Sequence, residues 1–115
     1  MIRNFLEAKK QIQSAHNGEG MVELYEIWGK ADFIRGCDFI DRQVIPSHLT
    51  VGYHKHSNNE EMYIILEGTG TMTIDSQEVK VKKGDMIKNP PYGEHGLVND
   101  SNDNIDLLII QMNLE

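Results

Sequence analysis

The chain is poor in several things that would have narrowed its reading early. It has one cysteine, Cys37, in 115 residues, so no internal disulfide can form and no zinc cluster built on several cysteines can exist within one chain. Any metal must then be held by histidine and carboxylate. Basic charge is scarce: 11 Lys and Arg stand against 18 Asp and Glu, a net charge of −7, with no basic run longer than two residues. Nucleic acid is therefore not an expected partner. Long apolar runs are missing as well, so no segment reads as a membrane span. The opening Met1 to Lys10 mixes charges and has nothing like the apolar stretch of a signal peptide, which leads us to expect a soluble, cytoplasmic protein.

What is present reads as one domain of short strands. Residues 5–14 carry good helix formers with Phe5, Leu6 and Ile12 as apolar positions, which predicts a short N-terminal helix, so residues 1–20 are expected to form a flank. Gly18 and Gly20 end that pattern. Over 21–115 the chain predicts strands near 21–28, 36–45, 49–56, 61–67, 70–75, 78–82, 86–89, 95–99 and 105–113. They are marked by β-branched and aromatic residues, as in Tyr63-Ile64-Ile65-Leu66, and separated by Gly, Pro, Asn, Asp and Ser. Strands at such regular spacing with almost no helix between them indicate an all-β, antiparallel sandwich or barrel.

One constellation within that pattern carries chemistry. His54 and His56 stand two apart in a predicted strand, so both imidazoles leave the same face, roughly 7 Å apart along the backbone. On a helix the second ring would turn about 200° away. Glu61 follows the polar Ser57-Asn58-Asn59-Glu60, a loop of hairpin length, and His95 follows Asn89-Pro90-Pro91-Tyr92-Gly93-Glu94, a turn leading into another strand. Three imidazoles and a carboxylate suit Fe, Mn, Ni, Zn, Co or Cu rather than Ca or Mg. With open positions left, such an ion could take a chelating substrate; a tetrahedral zinc closed by all four would be structural. An H-x-H pair alone occurs often by chance, and the hypothesis rests on the added Glu61 and His95. His16 and His48 are read as ordinary surface histidines.

On these residues the sequence resembles the cupin superfamily, specifically its small single-domain members, from about residue 36 onward. His54-x-His56, Glu61 and Gly68 match its first motif, and Gly84, Pro90, His95 and Asn99 its second. Two glycines of the pattern are absent: His48 stands where the first motif begins, and Tyr92 stands where a glycine is expected, with Gly93 next to it. The resemblance implies a jelly-roll β-barrel, a divalent metal held by His54, His56, Glu61 and His95, and frequently a homodimer, the last also suggested by the loop His16 to Gly20. It implies no single reaction, because similar proteins include dioxygenases, isomerases, decarboxylases, cyclases and non-enzymatic binders.

Other residues fill out the reading. Alternation from Glu61 turns Tyr63 and Ile65 inward and Met62, Ile64 and Leu66 to the other face, so Tyr63 is the candidate catalytic group, set against the plainer reading that it packs at the barrel mouth. Which face of strand 36–45 points inward stays open, and with it whether Arg42 clamps an anionic ligand or lies on the surface. Cys37 reads as a small buried hydrophobe, Met62, Met72, Met86 and Met112 as core filling, and Trp28 as a cap on the barrel, a pocket cover or part of a dimer surface. The leading expectation is a metal-dependent enzyme on a small polar, sugar-like or carboxylate substrate. The alternatives are a non-catalytic small-ligand binder and a structural metal site.

Overall fold

The computed structural model describes residues 1–114. Ten strands follow in order: β1 (Lys10–Gln13), β2 (Val22–Gly29), β3 (Cys37–Ile45), β4 (Thr50–Lys55), β5 (Asn59–Glu67), β6 (Thr69–Ile74), β7 (Gln77–Lys82), β8 (Met86–Asn89), β9 (Glu94–Val98) and β10 (Ile105–Asn113). They form two antiparallel sheets, ordered β1-β2-β3-β10-β5-β8 and β4-β9-β6-β7. The two hydrogen-bonded ladders remain separate among the described residues, so the barrel is two facing sheets rather than one closed ladder. No helix is long and apolar enough to cross a membrane.

The expected N-terminal helix over 5–14 is not there. Lys10 to Gln13 pair instead with Tyr25 to Val22 as an edge strand. The helical pattern fails because its apolar positions have nothing to bury against: Leu6 and Ile12 are both 65% exposed. Without such a packed face, a helix of this length is marginal in water, and pairing with β2 satisfies the backbone.

The core lies between the sheets and follows strict alternation. Ile105, Leu107 and Ile109 of β10 and Glu61, Tyr63 and Ile65 of β5 are buried, while Met62, Ile64 and Leu66 are only partly covered. Val22, Ile45, Val51, Met72 and Leu97 complete the centre. Each aliphatic side chain so buried contributes about 1.5–3 kcal/mol. Of the four methionines read as core filling, Met72 is fully buried, whereas Met86 is exposed because it alternates with the buried Ile87 on an edge strand. Arg42 faces outward: its guanidinium forms a bidentate pair with Asp106, both contacts 2.8 Å, and lies over the Tyr25 ring. Cys37 is only half-buried, and its thiol contacts the Phe39 carbonyl. Trp28 sits beneath the Arg3 guanidinium, 4.3 Å from ring centroid to Cζ.

The two residues that replace pattern glycines both keep a glycine-like backbone. His48 has φ 62° and Tyr92 φ 59°. The turns are thus retained at the steric cost an L-residue carries in the left-handed region, about 1–2 kcal/mol each. Gly68, at φ 98°, keeps its glycine, because a Cβ there would press on the Asn104 carbonyl. Asn99 acts as a staple, its amide donating to the carbonyls of Ile45, Pro46 and Asp103.

Candidate metal centre

Pairing of β4 with β9 places His54 directly opposite His95, and His56 follows one residue beyond the end of β4. The return of the chain through residues 57–60 brings Glu61 up on β5. All four expected positions therefore meet between the sheets. The Nε2 atoms of the three histidines converge: His54 to His56 is 3.2 Å, His56 to His95 2.7 Å and His95 to His54 3.0 Å. Their rings are mutually inclined by 56–63°, like the faces of a pyramid whose apex is the shared point. Glu61 borders this trio, with Oε1 3.4 Å from His56 Nε2 and 3.5 Å from His95 Nε2.

Outer contacts decide which nitrogens are free. His54 Nδ1 donates to the Gly52 carbonyl and His56 Nδ1 to Asn59 Oδ1, each at 2.8 Å. With the proton held at Nδ1, each Nε2 presents a lone pair inward. Burial, then the neighbouring His54, His56 and His16, pushes the His95 pKa down to about 3, so its ring is neutral at ordinary pH. His54 is also lowered, chiefly by burial, whereas hydrogen bonding to Glu61 raises His56.

The Nε2 lone pairs of His54 and His56 repel at 3.2 Å unless a proton or a cation lies between them, and His95 Nδ1, buried without a hydrogen-bond partner among the described residues, leaves its own proton unanchored. For ligand distances of about 2.0–2.1 Å at angles between 90° and tetrahedral, the nitrogens would stand roughly 2.9–3.4 Å apart. The observed 2.7–3.2 Å is close to that span. His54, His56 and His95 are thus positioned to bind a metal ion, and their donor chemistry fits a divalent transition metal.

Around the trio lie groups of unequal legibility. Tyr63 is buried with its ring 5.2 Å from that of His95, and burial together with the adjacent Glu61 drives its phenol pKa well above the ordinary value, so it keeps its proton. His48 is exposed and contacts Asn102, as a surface histidine should. His16 is exposed too, as expected, but its ring stacks on His54 at 3.4 Å with planes 9° apart. Burial and the neighbouring His54 lower its pKa. Asn89, opposite Glu61 in the β5–β8 register, is buried, and neither amide atom has a hydrogen-bond partner among the described residues. Asp41 settles the inward face of β3. Its Oδ1 is buried and unpartnered, and burial, with Glu26 and Glu61 adding, raises its pKa to about 7. Asp41 lines a cavity of about 520 Å³ with Arg3, Glu26, Ile27, Trp28 and Phe39. Asn89, as part of a proline turn, and Asp41, in a strand of undecided face, carried no sequence signal that distinguished them from structural residues.

Two facing antiparallel sheets with three histidines converging between them define a class: small β proteins with a metal-type site in a jelly-roll interior. The chain belongs to the cupin family, whose domain model (Cupin domain) matches residues 42–111. Along nearly its whole length it resembles an oxalate-binding protein of Thermotoga maritima, 26% identical over 110 residues, 96% of this chain and 91% of that one. The crystal structure of a predicted oxalate decarboxylase from Thermotoga maritima superposes with a TM-score of 0.95 at 26% identity, covering 99% of this chain and 100% of that one. An uncharacterized protein of Methanocaldococcus jannaschii is 44% identical over 59 residues, 51% of this chain. That match spans about half (47%) of the relative's own length.

Proposed function

We propose that this cupin is a metal-dependent enzyme in which His54, His56, His95 and Glu61 hold one divalent transition-metal ion, with a small carboxylate bound at an open position beside them. The observation that carries this reading is the convergence of the His54, His56 and His95 Nε2 atoms, with the Nδ1 protons of His54 and His56 held by Gly52 and Asn59. The ion would supply Lewis acidity to a bound oxygen. The residues supply the rest. Glu61 offsets part of the ion's charge, and Tyr63 keeps a proton at its hydroxyl within the same buried space, where it could be given to a developing charge. Asn89, unpartnered beside Glu61, offers a donor and an acceptor to a ligand.

Oxalate is the first ligand to try, since both the similar curated protein and the similar solved structure of Thermotoga maritima carry it in their names. Titration of manganese-loaded protein with oxalate should give saturable heat, and carbon dioxide release should follow turnover. Saturation without carbon dioxide favours the second reading, a non-catalytic binder, which the oxalate-binding relative supports. No heat from oxalate or other small carboxylates would refute the proposed ligand class. The exposed edge strand β1 and the family resemblance support a homodimer, which sedimentation would test.

A further inference from the structure

The candidate centre has an uneven cover. His56, Glu61 and His95 are buried, but His54 is only half-buried, and what lies on its face is not part of either sheet's core. It is His16, carried by the loop between β1 and β2.

That loop is firmly seated. The Ala15 carbonyl accepts from Gly18 N and from Gly52 N, both at 2.9 Å, and Ala15 bridges Val51. Glu19 N donates to Thr50 Oγ1 at 2.7 Å, and Thr50 N returns to the Glu19 carbonyl at 3.2 Å. A Cβ at Gly52 would collide with the His16 carbonyl, and one at Gly18 with the Thr50 carbonyl, so two glycines make the contact possible. His16 and Asn17 both adopt left-handed backbone, φ 50° and 58°. That conformation is uncommon for residues with side chains, though tolerated best by His, Asn and Asp. Here it lays an imidazole flat on the ring of His54. Gly52 therefore has two contacts on one residue: its carbonyl fixes the His54 Nδ1 proton, and its N–H anchors the loop that covers the same ring. His16 is exposed, and the contact its ring makes with the site is the stack on His54.

We propose that His16 is a positioning residue of the metal centre: the β1–β2 loop presses its ring onto His54, holds that ligand in the orientation its Nε2 needs, and roofs the one half-buried ligand. This rests on the metal reading above. It differs from it in assigning a part to the N-terminal flank, outside both histidine motifs. Residues that orient a metal ligand typically change affinity 10- to 100-fold when lost.

The test uses cobalt(II) and manganese(II) alone, titrated into metal-free full-length protein, with the cobalt absorption envelope as a second readout. His16→Asn keeps the left-handed turn and loses the ring; His16→Phe keeps a ring that can stack. His16→Asn should bind about tenfold or more weaker with an altered cobalt envelope, and His16→Phe should recover most of both. Unchanged affinity and envelope in His16→Asn would overturn the proposal, as would a His16→Phe protein, folded by its thermal melt, no better than His16→Asn. A wild type that binds neither ion would instead refute the metal reading, and the role of His16 would fall with it.

Discussion

Two regions of the fold each gather groups of one kind, and they resolve the resulting repulsion differently. At the histidine trio, three nitrogens point at one another, but their opposite edges are tied to Gly52 and Asn59 in two of the three rings. Those ties fix the tautomers, and a cation between the nitrogens relieves all three at once. At the β2–β3 cavity, Asp41 pairs across the ladder with Glu26, its buried Oδ1 has no hydrogen-bond partner among the described residues, and the group relieves its burial by keeping a proton up to a pKa of about 7. One region is positioned to bind a metal ion, and the other takes up a proton. The difference lies in the outer contacts: the rings of His54 and His56 are anchored from behind and so directed, whereas the buried acid has no such anchor.

The largest expected effect tests the proton side. Because the folded pKa of Asp41 lies above the usual carboxylate value, the protonated form is favoured by folding. The associated stability is fully present below pH about 4 and is lost as pH rises through about 7. At 1.36 kcal/mol per unit the total is up to about 4 kcal/mol. Asp41→Asn should therefore flatten the decline in denaturation free energy between pH 5 and 8, and an unchanged profile would show that Asp41 is not the group responsible. Next comes the metal side. An ion held at a hundred times its dissociation constant adds about 2.7 kcal/mol. Stripping it with chelator should lower the melting temperature by roughly 10 °C in wild type and leave a His54→Ala, His56→Ala variant unmoved. The smallest effect concerns the turns that frame the site. His48→Gly and Tyr92→Gly should each stabilise by about 0.5–1 kcal/mol, since relief of the left-handed strain exceeds the added chain entropy. Destabilisation of His48→Gly in urea would mean that the contact of His48 with Asn102 matters more than the strain.

The legible parts of the molecule are those governed by local periodicity. The two-residue spacing of His54 and His56 and the proline turn before His95 agree with the β4–β9 pairing, and alternation along β5 turns Tyr63 inward, but the expected hairpin over 57–60 is absent: β4 and β5 lie in different sheets, and Asn59 and Glu60 already belong to β5. The N-terminal segment was misread because helix propensity is a weak signal where no apolar face finds cover, and strand pairing with β2 prevailed. His16 was invisible for a different reason. Its position depends on a loop docking across β4 through two glycines and on two left-handed residues, none of which follows from spacing. The face of β3 was likewise undecidable, because irregularities in its pairing with β2 and β10 shift the register that would have assigned it.

The central claim is that the three converging nitrogens exist to hold an ion. Elemental analysis of untagged protein, purified without chelator and compared with the His54→Ala, His56→Ala variant, tests it most directly. Close to one equivalent of a divalent transition metal is expected in the wild type and essentially none in the variant. Wild-type protein that carries no metal and takes up none on reconstitution would contradict it.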